Sequence, residues 1–182
     1  MRTLLSVDFD FFIKENPIWD FGHNETNEIF MHAAWLARYL SIDLYKETDI
    51  RRYADFAPDA LISKLRWLGF KLEKPSVIIA DSHKFAFDVV KSMRDCRIFN
   101  FDAHHDCWMD MSEINCANWL SRSILAKYAL KSALWIAPSW LREFDNDFSK
   151  SLGINAKYFS YLKKNEFKGI KIDAIFLCRS GC

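Results

Sequence analysis

The sequence has no apolar run long enough to cross a membrane. Its longest apolar stretches have the length of a β-strand, whereas a spanning helix needs roughly 20 consecutive apolar residues. The N-terminal residues 1–5 run almost directly into Asp8, which interrupts the apolar core that a signal peptide requires. We therefore expect a cytoplasmic protein with no membrane partner.

The sequence also lacks an excess of one charge and any paired cysteine motif. It has 25 basic and 24 acidic residues, and the basic ones are scattered rather than arranged as a stripe that could follow a phosphate backbone. Its five cysteines are an odd number without a CxxC pair, and most of them flank apolar segments. These features predict reduced, partly buried thiols, no nucleic-acid partner and no structural zinc held by cysteine.

The composition is that of one globular domain. The chain has 182 residues, of which 51% are hydrophobic and 27% charged, so we expect a single domain over residues 1–182. Neither an internal repeat nor a low-complexity tract nor a linker divides it. Nothing in the sequence indicates the oligomeric state.

Apolar runs alternate with segments of helical periodicity. Strands are predicted at 4–12, 75–80, 97–102, 132–137 and 173–178, and helices at about 25–40, 58–69, 84–94 and 117–130, whereas residues 139–170 have no clear pattern. This alternation predicts an α/β fold in which a mainly parallel sheet is covered by helices on both faces, as a three-layer α/β/α sandwich.

Potential metal ligands follow three of the predicted strands. Asp8 and Asp10 lie two residues apart in the first strand, which would place both on one face. The others come at or just after the ends of the second and third strands: His83, Asp102, His104 and Asp106. Because parallel strands bring their carboxyl ends to one edge of a sheet, these side chains should converge there.

Four clustered aspartates would repel one another, and their pKa values would rise by several units, unless cations neutralise them. Two divalent ions would do so. Because carboxylates favour hard ions and no thiolate is expected among the ligands, the set suits manganese better than zinc, although iron, nickel and cobalt are also compatible with it.

Three short motifs resemble the metal-binding motifs of the arginase and ureohydrolase superfamily. They are S-x-D-x-D at 6–10, D-S-H at 81–83 and D-A-H-x-D at 102–106. In that superfamily the S-x-D-x-D strand comes late, whereas here it opens the chain. This order, with D-F-D-F-F-x-x-x-N-P at 8–17, resembles the atypical peptide arginases of ribosomal peptide natural-product pathways. The resemblance implies a reduced arginase/deacetylase-like fold and conversion of peptidyl arginine in a precursor peptide to ornithine and urea.

The resemblance also implies how two manganese ions would be held. One ion would be bound by His83 and Asp106, the other by His104 and Asp10, with Asp8 and Asp102 bridging the two. A water activated by both ions would attack the guanidinium carbon. Asp106 would then pass a proton to the departing amine.

The segment that follows the D-A-H-x-D motif departs from ordinary arginases. Residues 114–119 read I-N-C-A-N-W, without the G-N-x-H-G segment that contacts the amino and carboxylate groups of free arginine in that family. A peptidyl substrate lacks those groups, so the departure fits peptide modification. Glu25 is the candidate for binding the guanidinium, His23 for shuttling a proton and Asn118 for contacting substrate.

Other interpretations of the same residues remain open. The chain could hydrolyse a small guanidino compound such as agmatine, hydrolyse an amide as metal-dependent deacetylases do, or bind metal without turnover. In the simplest alternative, the aspartates are solvated acids at strand ends. Trp19, Trp108 and Trp119 flank the expected site and could either line a peptide groove or belong to the core.

Overall fold

The computed structural model of the protein describes residues 1–12, 29, 33, 36, 55–109, 113–129, 133–141 and 152–179. Within them, six strands form one sheet in which every pairing is parallel. The strands are β1 (Thr3–Asp8), β2 (Ser76–Ala80), β3 (Arg97–Phe101), β4 (Leu134–Ala137), β5 (Asn155–Tyr158) and β6 (Ala174–Cys178). Their order across the sheet is β2-β6-β1-β3-β4-β5. The predicted α/β class with a parallel sheet is therefore confirmed.

Helices cover the sheet on both faces. They are α1 (Leu61–Trp67), α2 (Ala86–Met93) and α3 (Trp119–Leu125). On one face Leu4 of β1 packs in a core with Val90 of α2 and Leu120 of α3, while on the other Leu5 packs with Leu65 of α1. Since neighbouring residues of a strand point to opposite faces, the whole of β1 is buried between two helical layers.

The first strand ends earlier than its apolar run predicts. β1 stops at Asp8, and residues Phe9–Phe12 form a 3₁₀ turn. The turn allows Phe11 to enter the core beside Phe101 of β3, with ring centroids 5.5 Å apart. The prediction that Asp8 and Asp10 share one face of a strand is therefore wrong, because aromatic burial bends the chain between them and carries Asp10 toward β3.

The helices agree with their predicted positions, with some changes at their ends. α1 follows a 3₁₀ turn at Pro58–Ala60, and α2 follows one at His83–Phe85. α3 is shorter than the predicted 117–130, and Lys127 just beyond it has a positive φ of 58°, which ends the helix. Of the predicted helix at 25–40, the structure describes single residues only, all helical and exposed: Ile29, Ala33 and Leu36.

The two edge strands of the sheet differ from what the sequence predicts. β2 lies at one edge, where Val77 and Ile79 are exposed, so helices do not cover this strand as they cover β1. β5 forms the other edge within 139–170, the stretch left without a prediction. Its sequence N-A-K-Y has no apolar run, because an edge strand needs little burial. None of the helices in the described part of the chain has the length and apolar character that crossing a membrane requires.

Candidate metal centre

The fold brings all six predicted ligands to the carboxyl edge of the sheet. Asp8 ends β1, Asp102 follows β3, and His83 lies three residues beyond β2. The ligands lie on one side of the sheet because Ser6, Asp8, Asn100 and Asp102 occupy alternate positions on adjacent strands, with Ser6 opposite Asn100. Parallel pairing thus joins residues that lie up to about a hundred positions apart in the sequence.

The ligand atoms form two clusters that share one carboxylate. The inner group, defined here as Asp8, His83, Asp102 and Asp106, is buried, and the outer group, defined as Asp10, Asp102 and His104, lies closer to solvent. Within each of two triads, His83–Asp102–Asp106 and Asp10–Asp102–His104, the ligand atoms lie within 4.8 Å of one another. The six residues are therefore arranged as two adjoining positions rather than one.

His83 is the centre of the inner group. Its Nδ1 lies 3.0 Å from Oδ2 of Asp102, 3.0 Å from Oδ2 of Asp106 and 3.2 Å from Oδ2 of Asp8. None of these contacts has the geometry of a hydrogen bond, so in the part of the chain that the structure describes Nδ1 is a buried nitrogen without a hydrogen-bond partner. A buried ring nitrogen that lies within 3.2 Å of three carboxylate oxygens, without a hydrogen bond to any of them, marks a candidate position for a cation.

The rest of the His83 ring is held in place. Nε2 lies 2.6 Å from Oγ of Ser6 on β1. The ring stacks on Phe176 of β6, with an interplanar angle of 5°, and it also packs against Trp119, 4.9 Å away between centroids. These contacts fix the direction of Nδ1, which is the role that groups behind a metal ligand usually have.

The surroundings of the inner group favour the protonated forms of its carboxyl groups and of His83. Burial, followed by the charges of Asp106 and Asp10, holds the pKa of Asp102 well above its usual range. Burial and the charge of Asp10 also raise the pKa of Asp8. Although burial alone would lower the pKa of His83, the charge of Asp106 and the contacts with the surrounding carboxylates raise it well above its usual value.

The repulsion between the inner carboxylates is large compared with the stability of a domain. Two carboxylates separated by about 4.8 Å repel by roughly 3–4 kcal/mol at an effective dielectric constant of 20. The total stability of a domain is only about 5–15 kcal/mol. An ionised inner group therefore requires a cation, either a proton on His83 or a metal ion.

The outer group is held by different contacts. Oδ2 of Asp10 lies 2.8 Å from Nδ1 of His104, and its Oδ1 accepts a hydrogen bond from the amide of Ala103. Burial of Asp10 raises its pKa, but the hydrogen bond and charge of His104 outweigh this and leave the pKa below its ordinary value. The side chain of His104 is 44% exposed, so water and small solutes can reach this position.

Asp102 connects the two groups through its two oxygens. Oδ2 faces His83 and accepts a hydrogen bond from Nδ2 of Asn100, whereas Oδ1 accepts one from the amide of His104. Its carbonyl oxygen accepts a third from the indole of Trp135. This geometry suits the bridging role predicted for Asp102. Asp8 contacts the inner group, and its bridging stays a prediction.

Asp106 is fixed by the start of α3. Its Oδ2 accepts a 2.5 Å hydrogen bond from Nε1 of Trp119, and its carbonyl accepts bonds from the amides of Leu120 and Ser121. Asp106 itself has a positive φ of 54°, a conformation that aspartate tolerates better than most residues. The loop thereby turns the carboxylate inward against His83.

One thiol also lies at this centre. Sγ of Cys178, at the end of β6, falls within 4.8 Å of ligand atoms of both Asp8 and His83. The expectation that no thiolate is among the ligands stays a prediction, but this thiol lies beside two of the candidate ligands. No sequence motif indicates its position, because Cys178 is far from every motif, and only the pairing of β6 with β1 places it opposite Asp8.

The predicted substrate residues have different outcomes. His23 and Glu25 lie outside the described residues, and their roles stay predictions. Asn118 is fully buried, and its side chain accepts from the amide of Asn115 and donates to the carbonyl of Glu113. The geometry does not support a substrate contact for Asn118, because both ends of its amide hold its own loop.

The predicted aromatic groove is also revised. Trp119 is completely buried against His83, whereas Trp108 is 58% exposed. Trp19 lies outside the described residues. Of the two groove candidates that lie in the described residues, only Trp108 offers a ring to a ligand.

Ser6 and Trp119 are positioning residues that the sequence did not identify as such. Ser6 is the serine of S-x-D-x-D, so its place in the motif was a usable signal. The role of Trp119 depends on how α3 docks, for which the sequence has no signal.

The donor set fits divalent metal ions. The inner group offers three carboxylates and an imidazole nitrogen without a hydrogen-bond partner, and the outer group offers a second imidazole with two carboxylates. Comparisons of the chain with protein-family models, curated proteins and solved structures find no match. The functional argument therefore depends on the geometry of the centre and on the three sequence motifs.

Proposed function

We propose that the protein is a binuclear metal-dependent hydrolase that converts peptidyl arginine to ornithine and releases urea. The observation that carries the proposal is Asp102, a buried carboxylate shared by two triads that each contain a histidine. Hydrolysis adds one water, so the products account for every atom of the arginine side chain. The substrate class follows from the resemblance of the motifs at 6–10, 81–83 and 102–106 to those of peptide arginases.

Each residue has a definite part in this proposal. His83 and Asp106 would hold the inner ion, Asp10 and His104 the outer one, and Asp8 and Asp102 both. When bound, two such ions supply an activated water nucleophile and positive charge for the developing negative charge. We favour manganese because oxygen ligands predominate.

Behind the ligands, Ser6 orients the first imidazole. We assign the hydrogen on Nε2 of His83 to the bond with Oγ of Ser6, which leaves the lone pair of Nδ1 for a metal. This tautomer explains why Nδ1 points at carboxylates without a hydrogen bond to any of them.

Asp106 is the proposed proton carrier. Its Oδ2 is engaged with Trp119 and faces His83, so we assign the transferred proton to Oδ1. From there the proton would pass to the departing amine of ornithine. Glu25 and His23 remain the proposed guanidinium ligand and proton shuttle.

The surface beside the centre is compatible with a peptide. Trp108 and Met109 follow Asp106 within three residues and are 58% and 50% exposed. Exposed apolar side chains next to a polar centre offer packing for the residues that flank an arginine. We propose a cytoplasmic setting, in which thiols such as those of the buried Cys96 and Cys107 stay reduced.

The direct test is the mass of an arginine-containing peptide before and after incubation with the manganese-loaded protein. The expected change is the loss of one CN₂H₂ unit per modified arginine, with an equal amount of urea. Free arginine and agmatine are run in parallel, and their conversion in place of the peptide would favour a small guanidino substrate.

A pair of variants links turnover to the centre. Asp102→Asn should abolish conversion, while Asp88→Asn, which changes an exposed acid on α2, should leave it intact. Full metal occupancy without turnover of any of the three substrates would overturn the proposed hydrolase.

A further inference from the structure

The inner group has a side that the proposed two-ion scheme does not use. Besides its contacts with Asp102 and Asp106, His83 belongs to a third triad with Asp8 and Cys178, all of whose ligand atoms lie within 4.8 Å of one another. All three residues are buried. This triad offers nitrogen, oxygen and sulfur, whereas the outer group offers only nitrogen and oxygen.

The sheet itself creates the triad. Cys178 on β6 pairs in register with Asp8 on β1 and with Ala80 on β2, three residues before His83. Cys178 and Asp8 therefore end adjacent strands on the same face. Just beyond, the amide of Arg179 donates to the carbonyl of Ala80. The end of β6 is thus tied to the segment that carries His83.

A second contact strengthens this connection. The guanidinium of Arg179 lies 2.6 Å from the carboxylate of Asp81, two residues before His83. The pair is exposed, so its energetic contribution is small. It nevertheless links the residue that follows Cys178 to the segment that leads into His83.

A buried atom independently indicates a ligand here. The side chain of His83 is 1% exposed. Its Nδ1 has no hydrogen-bond partner among the described residues. It is aimed into the space that the carboxylates surround. Because the thiol of Cys178 lies within 4.8 Å of a ligand atom of the same imidazole, it is next to a coordination position rather than merely packed in a core.

We propose that Cys178 is a metal ligand and that, with Asp8 and His83, it raises the affinity of the inner position for borderline ions such as zinc and cobalt relative to manganese. On ligation the S–H bond breaks, a metal–sulfur bond forms and the proton leaves to solvent. The outer position keeps its preference for a harder ion such as manganese, because it lacks sulfur. The inference rests on the metal centre of the proposed function but not on its substrate.

X-ray absorption at the zinc edge of the zinc-loaded protein tests the inference directly. We expect one sulfur neighbour at roughly 2.3 Å from zinc in the unaltered protein. The sulfur signal should disappear in Cys178→Ser. It should persist in Cys96→Ser. Cys96 is also buried, but it precedes β3 and so lies at the amino ends of the strands, away from the metal centre.

A competition experiment provides a second readout. The zinc-to-manganese affinity ratio should fall at least about tenfold in Cys178→Ser and stay unchanged in Cys96→Ser. If Cys178→Ser does not fold, a sulfur signal that persists in both Cys96→Ser and Cys107→Ser still supports the inference, and its absence from the unaltered protein overturns it. A further variant, Cys107→Ser, addresses the buried thiol next to Asp106.

The outcomes separate this inference from the proposed function. Zinc uptake with only nitrogen and oxygen neighbours, or a sulfur signal that is lost in Cys107→Ser and kept in Cys178→Ser, would overturn the inference alone. Sulfur ligation in a protein that leaves arginine peptides unchanged would support it and overturn the proposed substrate. Failure to bind any divalent ion would overturn both.

Discussion

The inner and outer groups use the same residue types in opposite environments. Side-chain exposure is 1–5% for His83 and its three carboxylate neighbours, against 14% for Asp10 and 44% for His104. Inside the protein every charge needs a partner, whereas near the surface water supplies part of the stabilisation. We therefore expect the proposed inner ion to be tightly held and the proposed outer ion to exchange more easily and to be open to substrate.

The largest expected difference is between the two histidines. His83→Ala leaves three buried carboxylates without their nitrogen and should lower the free energy of unfolding by about 3 kcal/mol, with loss of the inner ion. His104→Ala should cost less than about 1 kcal/mol, because the ring is partly solvated, and should release one ion. Denaturant unfolding and elemental analysis measure both quantities. Equal effects of the two changes would contradict the distinction between the groups.

Next in size is the support behind His83. Ser6→Ala removes the partner of Nε2 and should weaken binding of the inner ion by about 10- to 100-fold, with the outer ion less affected. Ser123→Ala is the matched control, since this serine is also fully buried but bonds only to the carbonyl of Trp119 in α3. Calorimetric titration with manganese distinguishes them. A similar loss of affinity in both variants would mean that burial, not ring orientation, is responsible.

Trp119→Phe should have a smaller effect, on turnover more than on binding. The change keeps an aromatic ring against His83 but removes the hydrogen bond to Asp106, a loss of about 1.5 kcal/mol or roughly tenfold in kcat. Trp135→Phe removes an indole bond to the carbonyl of Asp102 instead, and should alter kcat less. If KM rises while kcat holds, Trp119 acts on substrate binding and the proton role of Asp106 loses its support.

The smallest expected effect is the pH dependence of stability. Asp8 and Asp102 have raised pKa values, so the folded metal-free protein keeps protons that the unfolded chain releases above the ordinary value of 3.8. The raised pKa of His83 contributes stability that is complete below 6.5 and is lost as the pH rises through the higher folded value. The lowered pKa of Asp10 has the opposite effect, since it makes the folded protein more stable as the pH rises. This stabilisation is already complete above about pH 5.

From about pH 5 upward, the metal-free protein should therefore lose stability as the pH rises, while the metal-bound protein should not. We expect the increase in Tm on adding manganese to be several degrees larger at about pH 7.5 than at about pH 5.5. Scanning calorimetry with and without chelator measures the difference. His104→Ala should retain this dependence, and its loss in that variant would place the pH-sensitive charge in the outer group.

Much of the fold could be predicted because strong local patterns coincide with deep burial. β1, β3 and β6 are apolar runs at the centre of the sheet, and α1 has Leu61, Leu65 and Leu68 on its buried face. β5 was missed because an edge strand needs no apolar run. The turn after Asp8 was missed because an apolar sequence can continue a strand or bend into the core equally well.

The sequence by itself determined the candidate ligands: six acids and histidines in three motifs, each placed at or just beyond a strand that its apolar residues define. Only the tertiary structure decided how they divide into a buried and an exposed group, that Asp102 is common to both, and that Ser6, Trp119 and Cys178 complete the centre. The physical reason is that motifs depend on local spacing, whereas burial, charge repulsion and the register of β6 beside β1 arise from contacts between segments far apart in the chain.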